Sequence, residues 1–320
     1  MRSSISSSEP NTTTIPAPVR ARDIYLLWSM RALVCLALFC AAIEGLTRFG
    51  FSHISRIEAR ISRDHKAALG IHKSDRPTVL LVGNSLMLEG IDYERLRDAL
   101  AGRAYAVRFP IEQTQYLDWY YGLRRLFDEG SQPDLVVLCM SAEHLITSRI
   151  RGDYSSYYLF RLTDIPQIRH DIDYDLTKTS SLVLSHFSLF YAGRSSLRNF
   201  ILVRTDPAYA EMLQRIAAPQ AHFPPDQQME RITESRLRDL RLLCSSHGAR
   251  FVFLLAPGFG PGEAPLVAAG VRSRTDVLAP IHLNELGRDK FRDGFHLNAA
   301  GAQLFTDKVA PLLQSRLGKN

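Results

Sequence analysis

The chain has 320 residues, 46% of them hydrophobic and 22% charged, with a formal net charge of +6. That is ample apolar material for one large core or two small ones. The basic excess is scattered among Asp and Glu without a dense Lys/Arg run, so the clustered face that a nucleic-acid partner requires is absent. Four cysteines, Cys35, Cys40, Cys139 and Cys244, lie in or near apolar segments with neither CxxC nor Cys/His spacing. Neither a disulfide framework, a metal nor a cofactor is expected.

Residues 1–22 are rich in Ser, Thr and Pro and read as a disordered tail, because they carry too little apolar surface to order themselves. Residues 23–47 read as a single transmembrane anchor. The stretch Ile24 to Leu46 has an uninterrupted apolar core from Ala32 to Ile43, and about 22 helical residues at 1.5 Å each span roughly 33 Å, close to one bilayer. Arg31 and Glu44 flank the core where snorkelling lowers their cost, and Tyr25 and Trp28 suit an interfacial belt. A cleaved signal peptide fits poorly, since Ala41-Ala42-Ile43-Glu44 lacks a small-x-small site. A lipoprotein fits poorly too, with Leu38-Phe39 before Cys40. A buried core helix stays open as an alternative, because the strictly apolar core is short. Arg20 and Arg22 precede the span while Arg48, Arg56, Arg60 and Arg63 follow it. Counted by charge alone, this would keep the C-terminal bulk in the cytoplasm, although a long domain crosses regardless of nearby charge.

Residues 48–75 read as a helical linker, with a mixed-charge helical pattern from Ser52 to Ala68. The globular domain is expected over 76–320. Thr78 to Val82 is its first strand, a short β-branched run of the kind buried on both faces. Asp92 is a good N-cap for a helix through Leu96 and Leu100, and Ala104 to Phe109 reads as a second strand. A helix follows from about Gln115 to Asp128, and Leu135 to Met140 is a third strand. This alternation predicts an α/β fold with a mainly parallel sheet between two helical layers. An insertion of helices and loops at about 143–225 breaks it. Order resumes with a helix at Asp226 to Ser246, a strand at Arg250 to Ala256, a loop from Pro261 to Asp276, a short strand near Val277 to Ile281 and a last helix from about Ala299 to Leu317.

The first strand stops at Gly83-Asn84-Ser85, on the carboxyl edge where open α/β sheets bind ligands. The triplet reads either as an ordinary capped turn or as a nucleophile turn presenting Ser85. A serine hydroxyl attacks only when a base takes its proton and a third group orients that base. Of ten histidines only His296 has an Asp three residues before it, Asp293, in a turn between the last strand and the last helix. Capping of the terminal helix is the alternative role for that pair.

Gly83-Asn84-Ser85 and Asp293-x-x-His296, at opposite ends of one domain, resemble the SGNH/GDSL hydrolase superfamily. The resemblance covers about residue 76 to the C-terminus. It implies a three-layer α/β/α sandwich, with Ser85 as nucleophile, His296 as general base and Asp293 holding the imidazole. Asn84 stands where the family has Asp, and the Gly and Asn oxyanion donors have no clean counterparts. Beside the Ser85 backbone N–H, Gln113 and Ser141 are the candidate donors. With the N-terminal anchor, the pattern is similar to membrane-anchored SGNH-like proteins of bacterial cell-envelope and exopolysaccharide modification. That implies an outward-facing, periplasmic domain on the inner membrane, a polysaccharide substrate and a membrane-bound acyltransferase partner. The expected activity is ester hydrolysis or O-acyl transfer. A catalytically silent accessory protein is the alternative, and a flavodoxin-like binding domain would place Ser85 and His296 more than about 8 Å apart, beyond hydrogen-bond reach.

Overall fold

The computed structural model describes residues 21–208 and 223–317; the tail up to residue 20 and residues 209–222 of the insertion lie outside the described residues. The chain divides into two compact units, Met1–Leu46 and Thr47–Asn320. The first contains most of helix α1 (Ala21–Ile54). Within α1, Tyr25–Gly50 is long and apolar enough to cross a membrane by length and composition. Leu33, Leu36, Leu38 and Phe39 are all exposed, whereas a core helix would bury such an apolar face. The helical run expected across Ser52 to Ala68 is broken at Ser55, whose hydroxyl accepts from the Glu58 N–H at 3.3 Å and caps α2 (Arg56–Leu69).

The second unit holds one parallel sheet of five strands in the order β2-β1-β3-β4-β5. These are β1 (Thr78–Gly83), β2 (Tyr105–Pro110), β3 (Leu135–Met140), β4 (Arg250–Leu255) and β5 (Asp276–Leu278). Both β1 and β3 are buried along their whole length, which is why they read as unbroken apolar runs. Their side chains alternate between two cores. Leu80, Val82, Val136 and Leu138 face α2, α5 (Tyr116–Asp128), α11 (Asp226–Ser246) and α12 (Glu263–Ser273). Val79, Leu81, Leu135 and Val137 face α3 (Ser85–Gly90), α4 (Tyr93–Leu100) and α13 (Ala299–Leu317). The architecture is a three-layer α/β/α sandwich.

Between β3 and β4 the chain forms α6 (Ala142–Ile146), α7 (Asp153–Tyr158), α8 (Ile165–Asp171), α9 (Leu176–Phe187) and α10 (Leu189–Thr205). Helix α2, inside the segment read as a linker, is packed into this unit. It buries Ile61 and Ala68, and its buried Glu58 carboxylate accepts from the hydroxyls of Tyr154 and Tyr158 on α7. Pro261 to Asp276, expected as a loop, contains α12 instead. Gly258, Gly260, Pro261 and Gly262 punctuate its approach, while Pro265 sits in the first turn, where a missing N–H costs no hydrogen bond. β5 is correspondingly shorter than expected, ending at Leu278.

The strand order reverses between β1 and β3, so the carboxyl ends of these two strands flank the crevice in which such sheets bind ligands. Gly83 closes that end. A Cβ at position 83 would lie 2.2 Å from the Cys139 carbonyl oxygen and 3.0 Å from Met87 Cβ. Only glycine lets β1 approach β3 this closely where the turn to Ser85 begins. Gly83→Ala is expected to cost about 1–3 kcal/mol of stability through overpacking, read as a lowered midpoint in urea with an unchanged slope.

Candidate active site

Ser85 is the first residue of α3 and follows β1 with one residue between. That residue, Asn84, is only 1% exposed and uses both ends of its amide. Its oxygen accepts from the Leu86 N–H at 3.0 Å and caps α3, while its Nδ2 donates to the Thr114 carbonyl at 3.1 Å, binding the turn to the β2–α5 loop. A carboxylate could cap the helix but has no proton for Thr114. Asparagine, unlike aspartate, therefore satisfies both contacts at this position.

On the opposite side, a turn between an antiparallel bridge of Phe291 with Leu297 presents His296. Arg292 N–H donates to the His296 carbonyl at 2.8 Å, and Gly294 takes a left-handed conformation at φ 79°. Asp293 organises this turn: its Oδ1 accepts from the backbone N–H of Phe295 at 3.1 Å and of His296 at 2.7 Å. Its Oδ2 lies 2.8 Å from His296 Nδ1. The terminal helix has a different cap, since Asn298 Oδ1 accepts from the Gly301 N–H at 3.0 Å. Asp293 is thus free to serve the histidine.

His296 Nε2 lies 2.9 Å from Ser85 Oγ, a contact across 211 residues of chain. The structure brings Ser85, His296 and Asp293 into one hydrogen-bonded line. Partial burial would raise the Asp293 carboxyl, but the His296 amide and ring, the Phe295 amide and Arg292 together hold it well below the usual carboxylate range. An ionised Asp293 only accepts, so Nδ1 carries the imidazole proton and Nε2 is left to accept from the serine hydroxyl. Arg292 also pairs with Glu89 of α3 at 2.6 Å, tying the histidine turn to the helix that begins at Ser85.

Two cavities border this edge. One of about 190 Å³ is lined by Leu86, Ala142, Phe223, Phe259, Leu283 and Phe295, so it flanks both Ser85 and His296 with apolar walls. Gln113, named from the sequence as an oxyanion donor, lines the other, of about 400 Å³, with Glu58, Arg151 and Tyr154, and takes a left-handed conformation at φ 63°. Ser141 does line the cavity beside the triad, but its hydroxyl is engaged, 2.5 Å from His144 Nδ1. The Ser85 N–H stands in the first turn of α3 and has no intrahelical partner, as the oxyanion role requires.

The sequence reading missed His144. Its half-buried ring faces Phe295 with centroids 6.2 Å apart, and Phe295 in turn meets His296 edge-on at 5.0 Å. Burial, and then the neighbouring His296, lower its pKa to about 4, so it is neutral at pH 7. In the sequence it stands as Ser141-x-x-His144 directly after β3, a spacing that points to the site only once β3 is placed beside β1. Among the described residues, no group of three or more His, Cys, Asp or Glu side chains is placed to hold a metal ion.

No family profile and no curated protein matches this chain. Among solved structures, the crystal structure of TesA aligns over 74% of this chain and 98% of its own, with 14% identity and a TM-score of 0.35. A protein from Streptococcus pneumonia, provisionally assigned as a platelet activating factor, aligns over 85% of this chain and 98% of its own, with 14% identity and a TM-score of 0.31. At these scores neither likeness bears on function, and the functional reading rests on the geometry around Ser85.

The double duty of Asn84 is open to direct measurement. Asn84→Asp keeps the cap and loses the bond to Thr114, so it is expected to lower stability by about 1–3 kcal/mol by denaturant titration. Asn84→Ser, which keeps a capping oxygen without a buried charge, is expected to lose less.

Proposed function

We propose that this protein is a membrane-anchored serine acyl-ester enzyme of SGNH type, a hydrolase or O-acyltransferase acting on a cell-envelope or exopolysaccharide substrate. The observation that carries the reading is the relay from Asp293 through His296 to Ser85, with hydrogen bonds of 2.8 and 2.9 Å. Ser85 Oγ attacks the ester carbonyl carbon as its proton passes to His296 Nε2. The tetrahedral intermediate collapses, the alcohol leaves with that proton, and the acyl group stays on Ser85. Water or a sugar hydroxyl, deprotonated by His296, then attacks the acyl-serine and restores the enzyme. Asp293 stays ionised throughout and stabilises the imidazolium formed in each half.

The apolar cavity of about 190 Å³ beside Ser85 suits a short acyl group. The expected orientation, with the domain outside the cytoplasmic membrane, follows from the resemblance to envelope-modifying proteins and runs against the arginine count around α1. A C-terminal alkaline phosphatase fusion, active only outside the cytoplasm, is expected to be active; an inactive fusion that is nonetheless made at full level would place the domain inside.

A fluorophosphonate probe tests the chemistry. Wild-type protein is expected to be labelled at Ser85, Ser85→Ala not at all, and His296→Ala at a rate lower by about 10³-fold or more. Absence of labelling in folded wild-type protein would leave the silent accessory role, binding polysaccharide or a partner acyltransferase, as the reading to pursue.

A further inference from the structure

The relay activates Ser85, but a tetrahedral oxyanion needs at least one donor beyond the Ser85 N–H. Gln113 borders the other cavity, and the Ser141 hydroxyl is engaged by His144. Resting on the acyl-ester reading, we propose that His144 supplies that donor through Nε2–H, with Ser141 as the positioning residue that fixes its tautomer.

The argument is a count of protons. Ser141 caps α6, its Oγ accepting from the His144 backbone N–H at 3.4 Å, and the same oxygen lies 2.5 Å from His144 Nδ1. A hydroxyl has one proton to give. If Nδ1 carried the ring proton, the Ser141 oxygen would receive two donors and its own proton would have no acceptor among the described residues. If Ser141 donates to Nδ1, its oxygen accepts only from the His144 amide, its proton has an acceptor, and the ring proton resides on Nε2. That nitrogen has no hydrogen bond of its own, yet it is not among the buried polar atoms left without partners, so it keeps accessible surface from which to donate. The neutral state is required as well, since a charged ring would oppose the imidazolium that forms on His296. The half-buried site and the proximity of His296 both hold His144 neutral.

Placement agrees. Ser141 and Ala142, at the start of α6, line the same cavity as Leu86 and Phe295, the neighbours of Ser85 and His296. The ring lies opposite Phe295, which contacts His296 edge-on. The carboxyl ends of β1 and β3 therefore deliver one donor each, the Ser85 amide and the His144 imidazole.

The test is the second-order rate constant for inactivation by a fluorophosphonate, whose phosphoryl oxygen develops charge in the same place, measured on the full chain in detergent. His144→Phe, which keeps the ring and removes the donor, is expected to slow inactivation by about 10²-fold, the loss typical of one oxyanion donor. His144→Gln, which restores an N–H, is expected to recover much of that loss. Ser141→Ala is expected to give an intermediate rate. A wild-type rate in His144→Phe overturns this inference while leaving the triad reading intact; an unreactive wild-type protein overturns both. If His144→Phe does not fold, nitrogen NMR of the wild-type imidazoles decides. An unprotonated Nδ1 in His144 at pH 7 supports the assignment, and a protonated Nδ1 or a charged ring overturns it.

Discussion

The close approach of β1 to β3 at Gly83 is the constraint on which the site depends. With no side chain at that position, β1 runs beside the Cys139 carbonyl and the chain turns at once into α3. Asn84 then fixes the turn from both sides, with its oxygen on the Leu86 amide and its nitrogen on the Thr114 carbonyl. A buried amide that satisfies a donor and an acceptor together tolerates little displacement, because either lost bond leaves a desolvated polar group behind. Ser85 is consequently placed by backbone and neighbour, not by its own side chain. Its hydroxyl stays available for His296.

The histidine side is built on a different principle. Its turn is short, lies at the surface and is stitched mainly by Asp293, which takes two backbone N–H groups on one oxygen and the imidazole on the other. One carboxylate thus shapes the turn and sets the tautomer. Arg292, bridging Asp293 and Glu89, links the two halves across the crevice. Such exposed pairs contribute little to global stability. Their use here is to limit the relative motion of α3 and the histidine turn, where a shift of 1 Å would break the serine contact.

What could be read from the sequence follows from whether the physical cause was local. β1 and β3 were legible because burial on both faces leaves no polar interruption. Helices α4, α11 and α13 were legible from spacing and caps such as Asp92, whose side chain accepts from the Arg95 N–H. Helix α12 was not, because its flanking glycines and prolines signal a loop more strongly than its own apolar residues signal a helix. The packing of α2 was hidden for another reason: Glu58 meets Tyr154 and Tyr158 across 96 and 100 residues, and a mixed-charge helix gives no sign of so distant a partner. In the candidate site, Asp293 and His296 share a turn and were visible as a pair, whereas their reach to Ser85 is a product of the sheet order. His144 was overlooked because a histidine three residues after a serine carries no signal until β3 is known to end beside β1.

Two histidines on one crevice impose an electrostatic order on it. Each proton taken up by one ring raises the cost of a second on the other, and burial decides which ring stays neutral. Asp293 stands directly behind His296, while His144 meets the Ser141 hydroxyl and the Phe295 ring. Of the two rings, only the one with Asp293 behind it has a carboxylate in hydrogen-bond contact among the described residues. The lowered basicity of His144 makes it a poor proton acceptor, yet a neutral imidazole still has an N–H to donate. The same burial that disqualifies His144 as a base suits it to a site where negative charge develops on a neighbouring oxygen.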